Sequence, residues 1–512
     1  MPNILADQAT SPIVSMEYVQ QLVDKATNKK NPKEEQRDNV LNALAELGGF
    51  NVTDDSLIFS GSKFIIPEQY EGNVESAEQF LREWRVAQNK QTSFSRTFNF
   101  RPWDGAAAFD RAMKRVFGTS GLGKTQMSMF GPIPPQQVSI AISAHENIQV
   151  PWGAVSFPPL DATFYLDDTG SEDFGQIFLI NVEGPLKYRR HFEGFFDIVE
   201  EELRERSIYR GKAFSGSVSP TFMDIDTIDP SRVVYNEEVK HQLDVNMWSL
   251  IRYSQTMREN RIPLKRSVLV YGKYGCGKSL AGELTAKEAV ENGWTFVKAR
   301  PGKDNLNDIL KMAQLYAPAV VWFEDIDVVA KGENDKQISQ LLDSLDGITN
   351  KGVEILAGFT TNFVEKIQKG VLRPGRLDAV IPIGELSPED IQRLCRVIIP
   401  ENIQGNIDYA PVAEAFKGMV PAFIKEGIDR AMRYTIARNG GQPGLINTED
   451  LVDAAKGLNP QLVLMDKAQE GVKTPMLETA FGNTIDKFLD GRRITDGGGI
   501  NLKVAPLANG VR

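Results

Sequence analysis

Cysteine and histidine are scarce in this 512-residue chain, and that scarcity removes several classes of protein at once. Two cysteines, Cys276 and Cys395, exclude a disulfide framework and fit a reducing compartment. The three histidines, His145, His191 and His241, are scattered, and no His/Cys spacing suits zinc. No stretch approaches the ~18 uninterrupted apolar residues of a membrane helix. The opening MPNILADQATSPIV has neither a basic n-region nor an apolar h-region. Together these absences predict a cytoplasmic protein without a membrane partner. An excess of positive charge is also missing. The formal net charge of −10 argues against a sequence-independent grip on nucleic acid.

What is present reads as several soluble domains, because 512 residues exceed what one core organises. Residues 1–210 read as a mixed α+β domain that serves a client or adaptor. Helices are expected over 16–27, 34–47, 75–88 and 188–206. Strands are expected over 138–143, 162–166 and 175–182, the last two flanking the turn-rich DDTGSED as a hairpin. Residues 211–232, rich in Ser, Pro and Asp, read as a linker. From Val233 helices alternate with short apolar strands over 267–271, 295–299, 319–323, 353–361 and 379–383, the pattern of a doubly wound α/β sheet. The sheet domain is expected over 233–385 and a helical domain over 386–458. The latter opens on Ser387-Pro388-Glu389-Asp390, a cap residue, a first-turn proline and an acid at the third position. A helical extension with a flexible tail is expected over 459–512.

Chemistry concentrates in the sheet domain. Gly272-Lys273-Tyr274-Gly275-Cys276-Gly277-Lys278-Ser279 fits GxxxxGK[ST], between the apolar strand SVLVY and the helix former SLAGELTAKEAV. Strand, glycine loop and helix place phosphates against loop amides and a helix N-terminus. Lys278 then meets the β/γ oxygens and Ser279 a magnesium ion, with the loop and first turn through Leu280 forming the ATP cradle. Cys276 reads as a small residue that fits the loop. A second match, Gly118 to Thr125 with Lys124, lacks this context. The stretch before it has helical periodicity, and Gly131, Pro132, Pro134 and Pro135 prevent a helix after it. It reads as a surface loop. Four apolar residues, Val320 to Phe323, lead into Glu324-Asp325-Ile326-Asp327. Acids at the C-terminal end of a buried strand beside such a loop hold magnesium and activate water.

With these motifs in register the chain resembles the AAA family of ATPases, in texture the Bcs-type chaperones and phage or bacterial AAA ATPases, and its lead-in NMWSLIRYSQTMRENRIPLKRSVLVYGKYGCGKS resembles the Bcs-type branch. The family pattern ends its strand in Asp-Glu, and here the pair is inverted. By position the resemblance gives Glu324 the magnesium role and Asp325 the water role, one methylene short of the usual glutamate. It makes Asn362, after the strand ending in Thr361, the first sensor. The segment Arg373-Pro374-Gly375-Arg376-Leu377-Asp378 resembles the family's finger motif, so Arg373 and Arg376 are expected to reach a neighbouring subunit's γ-phosphate. Leu341 to Gly347 resembles the helix before that sensor. The resemblance therefore implies a homo-oligomeric ring, a hexamer or heptamer, that uses ATP and magnesium to remodel a macromolecular client, a protein first. A nucleic-acid ATPase and a nucleotide-switched scaffold with low turnover are the alternatives. No aromatic pore-loop tripeptide follows the second strand. Arg300, Lys303 and the 330–336 loop are candidates to face a pore or simply solvent. Val234 and Tyr235 are placed by position near adenine, and Arg430 or Arg433 would be a second sensor or an ordinary charged helix face. The segment from Ser207 to Lys212 reads as a helix end.

Overall fold

A computed structural model describes residues 86–118, 126–128, 131–133, 136–300, 303–326, 352–364 and 377–469, with 59–60, 63–64 and 82–83. Outside these lie the helices expected over 16–27 and 34–47, most of that over 75–88, residues 119–125 of the second glycine–lysine motif, the 330–336 loop, residues 341–347, Asp327, Arg373 and Arg376. The chain divides between Gly384 and Glu385 into two compact units.

The first unit contains two sheets. Its antiparallel sheet comprises β1 (Gln91–Phe98), β2 (Gln136–Ala141), β3 (Asn147–Phe157), β4 (Ala162–Ser171) and β5 (Gly175–Pro185), in the order β1-β5-β4-β3-β2. The hairpin expected around DDTGSED is tighter than its composition implies, for pairing continues until Ser171 meets Gly175. Helices α1 (Pro102–Phe117) and α2 (Arg189–Glu205) pack against this sheet. Phe192, Phe195, Phe196, Val199 and Leu203 recur at helical spacing and bury against Phe98, Phe109, Phe164 and Val182. Helix α1 begins with proline in its first turn and ends at Gly118, whose φ of 72° no β-carbon opposes. The second glycine–lysine motif thus follows a helix rather than a buried strand.

The second sheet comprises β6 (Ala213–Ser215), β7 (Thr221–Phe222), β8 (Arg266–Tyr271), β9 (Thr295–Ala299), β10 (Ala319–Phe323), β11 (Ile355–Thr361) and β12 (Ala379–Pro382), in the order β7-β6-β9-β10-β11-β8-β12. All pair in parallel except β7. Strands β10 and β11 are buried at every position, as expected for a parallel sheet covered on both faces. Residues 211–232, expected as a linker, supply β6 and β7 and extend the sheet beyond β9. Helices α3 (Glu237–Leu243), α4 (Lys278–Glu291) and α5 (Leu306–Leu315) accompany the strands. Apart from Lys278 and Thr285, the buried positions of α4 are small, Ala281, Gly282, Ala286 and Ala289. The Trp322 indole on β10 lies so close to Gly282 and Gly358 that a Cβ at either would collide with it.

The two sheets share a core. Ala106, Ala107, Ile140 and Val150 of the antiparallel part belong to one buried cluster with Ile309, Leu310, Met312, Ala313 and Tyr316. Fully burying one such side chain is worth roughly 1.5–3 kcal/mol. The residues expected as an N-terminal α+β domain form a sheet of their own, and that sheet shares this core with the second sheet. Polar groups bridge the same junction. The fully buried Asp104 accepts from the Ser207 hydroxyl at 2.6 Å and from the Ile208 amide at 2.9 Å. Ser207 to Lys212 is thus the exit from α2, fastened to α1 and β9, the latter through the Gly211 amide and the Thr295 hydroxyl at 3.0 Å.

The second unit is helical: α6 (Pro388–Ile398), α7 (Tyr409–Ala415), α8 (Pro421–Arg438), α9 (Thr448–Lys456) and α10 (Asn459–Gln469). The Ser387 hydroxyl accepts from the Asp390 amide at 3.1 Å and donates to the Asp390 carboxylate at 2.9 Å, so the cap forms as the residues dictate. Its core gathers Ile391, Leu394, Val412, Phe416, Ile424, Ile428 and Leu451. Arg430 donates to the Gly457 carbonyl at 2.9 Å and Arg433 to Glu426 at 2.6 Å, both within this unit.

Burial pushes the Asp104 carboxyl up to about 6, with the Ser207 and Ile208 hydrogen bonds opposing. The folded protein therefore binds a proton more readily than the unfolded chain, whose carboxyl titrates near 4. Stability is expected to fall as pH rises from about 4 to about 6, by up to roughly 1.4 kcal/mol per unit from this group. Asp104→Asn should flatten that slope, as measured by urea unfolding across the same pH range.

Candidate nucleotide site

The phosphate loop leaves β8 at its C-terminal end and enters α4. Gly272 donates its amide to the Thr361 carbonyl at 3.3 Å, tying the loop to the end of β11. Only glycine fits at 272, because a Cβ would collide with the Ile383 carbonyl and the Cys276 sulfur. Gly275 and Gly277 have φ of 81° and 106°, a left-handed region that other residues resist. The Tyr235 hydroxyl donates to the Gly277 carbonyl at 2.7 Å, so Tyr235 braces the loop. Burial holds its phenol above the usual tyrosine range. Lys273, Tyr274, Gly275, Ser279 and Leu280 are exposed, while Cys276 and Lys278 are buried. Burial raises the Cys276 thiol, consistent with a small neutral residue filling the turn.

Lys278 is 7% exposed, and oxygens surround its ammonium. It donates to the Gly272 carbonyl at 2.9 Å, the Lys273 carbonyl at 3.0 Å and Asn362 Oδ1 at 2.6 Å. The Asn362 amide in turn donates from Nδ2 to Asp325 Oδ1 at 2.9 Å. Only this orientation of the amide serves an ammonium on one side and a carboxylate on the other. Three residues far apart in sequence thus form one hydrogen-bonded line, with Asn362 between the phosphate-loop lysine and the acid. Asp325 is itself fixed. Its φ of 47° lies in the left-handed region, and its amide donates to the Thr360 hydroxyl at 2.9 Å. A strained backbone at the end of a buried strand aims the carboxylate.

Glu324 differs from its neighbour. One oxygen, Oε2, meets Lys298 Nζ at 2.9 Å, and Oε1 is buried with no hydrogen-bond partner among the described residues. Lys298 went unnoticed at the level of sequence, although a charged residue one step before the end of the apolar β9 was a signal. Arg300 pairs with Asp304 at 2.7 Å, so its charge is already engaged within its own turn.

The site fits a magnesium nucleotide on its own chemistry. Loop amides and an α4 N-terminus face a cradle that glycines keep open, an ammonium stands beside it, and Glu324 keeps one oxygen uncommitted. The model of the ATPase family associated with various cellular activities (AAA) matches residues 268–385, which run from β8 to just past β12 and enclose every one of these groups. The chain carries a AAA ATPase domain. Its relatives agree. The probable mitochondrial chaperone bcs1 of Schizosaccharomyces pombe is 32% identical over 178 residues, 32% of this chain and 38% of that protein. The ATP-dependent zinc metalloprotease FtsH 2 of Symbiobacterium thermophilum is 25% identical over 258 residues, 46% of this chain and 42% of that protein. The putative ribosome biogenesis ATPase nvl of Dictyostelium discoideum is 25% identical over 259 residues, 45% and 29%. The chain spans less than half the length of each of these relatives.

Within the AAA ATPase domain, Lys278, Asn362 and Asp325 are joined, Glu324 lies next to Asp325, and Ser279 follows Lys278 in the first turn of α4. Asn362→Ala should leave nucleotide affinity within about threefold and lower turnover by roughly 10²-fold or more, the scale of losing one preorganised donor. Labelled-nucleotide binding and phosphate release check the two halves separately.

Proposed function

We propose that this chain binds ATP with magnesium and hydrolyses it at sites shared between neighbouring copies, in a cytoplasmic homo-oligomeric ring of six or seven, and uses the cycle to remodel a protein client. The observation that carries the reading is the line from Lys278 through Asn362 to Asp325, which sets a cation for phosphate oxygens and a carboxylate for water on either side of one amide. Ser279 and Glu324 would hold magnesium, which when bound neutralises phosphate charge. Asp325 orients the attacking water and receives its proton. Asn362 fixes the Asp325 oxygen, and the loop glycines let backbone amides approach the phosphates. Arg373 and Arg376 supply guanidinium groups to the adjacent copy, a role that rests on their resemblance to the family's finger motif. Trans-acting arginines of this kind contribute about 10³–10⁵ in rate. The protein client rests on the relatives' chaperone and ribosome-biogenesis names and on the acidic balance of this chain. Among the described residues no helix is long and apolar enough to cross a membrane.

Mixing two inactive variants tests the shared site. Arg376→Ala and Asp325→Asn alone should each lose nearly all phosphate release. Mixed rings contain some interfaces with an intact acid on one copy and an intact finger on the next, so activity should return in part. Full activity of Arg376→Ala alone, or no recovery in mixtures that assemble, would remove the shared site. Stimulation of the wild-type rate by an unfolded protein supports a protein client, whereas stimulation by DNA that fades with salt reassigns the client to nucleic acid.

A further inference from the structure

The first unit holds a cavity of about 180 Å³ away from the phosphate loop, where the antiparallel sheet meets β6 and β7. Arg101, Trp103, Trp152, Asp168, Tyr209 and Val218 line it. Arg101 is the unusual member. It is 8% exposed, yet it forms no ion pair with any carboxylate among the described residues. Its Nε lies 3.0 Å from the Met312 sulfur and its Nη1 donates to the Gln176 carbonyl at 3.1 Å, which leaves further guanidinium N–H groups for another acceptor. Desolvation lowers its pKa from the usual arginine range, with Tyr316, the Asp308 carboxylate and Tyr209 opposing only in part. A buried guanidinium ordinarily persists only where a partner charge compensates it.

The walls describe what that partner carries. The Trp103 and Trp152 rings lie 4.8 Å apart at 51°, presenting indole surface beside the guanidinium. Val218, 71% exposed in the turn between β6 and β7, offers an apolar edge at the mouth. Tyr209 stacks on Phe222 and closes another side. Asp168, exposed on β4, also lines the cavity without pairing with Arg101. A carboxylate at that position opposes any ligand bearing two negative charges.

We propose that this cavity is a binding site for a singly charged carboxylate on a flat apolar stem, with the carboxylate on Arg101 and the stem against Trp103 and Trp152. A free aromatic acid has this chemistry, and so does the C-terminus of a polypeptide ending in an apolar residue. The site is joined physically to the nucleotide-binding sheet. The Arg101 amide donates to the Tyr316 hydroxyl at 3.0 Å, and Tyr316 leads into β10, whose far end presents Glu324 and Asp325.

The test titrates 3-phenylpropionate into the full chain by calorimetry, beside 3-phenylpropionamide, phenyl phosphate, and a short peptide ending in phenylalanine as free acid or amide. The acid should bind saturably at one site per chain, with the amide weaker by roughly tenfold or more, the scale of a charged hydrogen bond. Arg101→Met should weaken the acid to a similar extent. Asp168→Asn, an exposed substitution, should tighten phenyl phosphate more than phenylpropionate. Absence of saturable acid binding at about 10 mM, or equal affinity for acid and amide, overturns the proposal. Should Arg101→Met fail to fold by thermal melting, the acid–amide comparison in wild type and the Asp168→Asn result decide alone. A free-acid peptide that binds tighter than phenylpropionate identifies the source as a chain terminus, and the reverse identifies a free acid. Lys278→Ala must retain acid binding, so this outcome is independent of the nucleotide reading.

Discussion

The structure depends on giving partners to one buried ammonium. Lys278 lies almost out of solvent, and the cost of an uncompensated charge there is several kcal/mol at least. Its compensation comes from three places in the chain: the Gly272 and Lys273 carbonyls of its own loop and the side-chain oxygen of Asn362 after β11. That arrangement requires β8 and β11 to be neighbours with ends level, and the register pairing Tyr271 with Thr361 delivers it. Asn362 then reaches Asp325 only because β10 flanks β11 on the other side. Strand order, loop glycines and the strained Asp325 backbone all serve the same few ångströms.

The inverted acid pair acquires a physical reading from this geometry. Asp325 is the member that accepts from the Asn362 amide, and Glu324 is held by Lys298 from β9. The two carboxylates therefore answer to different neighbours and need not compete for one task. The Asp325 backbone lies in the left-handed region, and its carboxylate accepts from the Asn362 amide. Behind β10 the shared core fastens the antiparallel sheet to α5 and Tyr316, so the residues preceding the nucleotide-binding sheet are part of the platform that holds the acids.

The nucleotide-binding part was readable because its signals are local. A buried parallel strand shows as an unbroken apolar run, and a phosphate loop needs its glycines and lysine consecutively, so 267–271 and 319–323 stand within a residue of the observed strands. The rest was harder for physical reasons. In β1, QTSFSRTF, four hydroxyl residues dilute the alternation, since one face of an antiparallel strand meets solvent. Strands β6 and β7 are three and two residues long within Ser- and Pro-rich sequence, and only the pairing of β6 with β9 and of β7 with β6 makes them strands. The Lys298–Glu324 pair and the Arg101 cavity join residues that no sequence spacing connects. Tyr235, expected by position near adenine, also braces Gly277, a contact visible only once the loop is folded.

Equilibrium binding of labelled ATP at millimolar magnesium, with wild-type chain and Lys278→Ala compared, tests the central claim most directly. The account predicts one saturable site per wild-type chain and its loss in the variant, with both proteins equally folded. Failure of the wild type to take up nucleotide, or equal uptake by the variant, would contradict it.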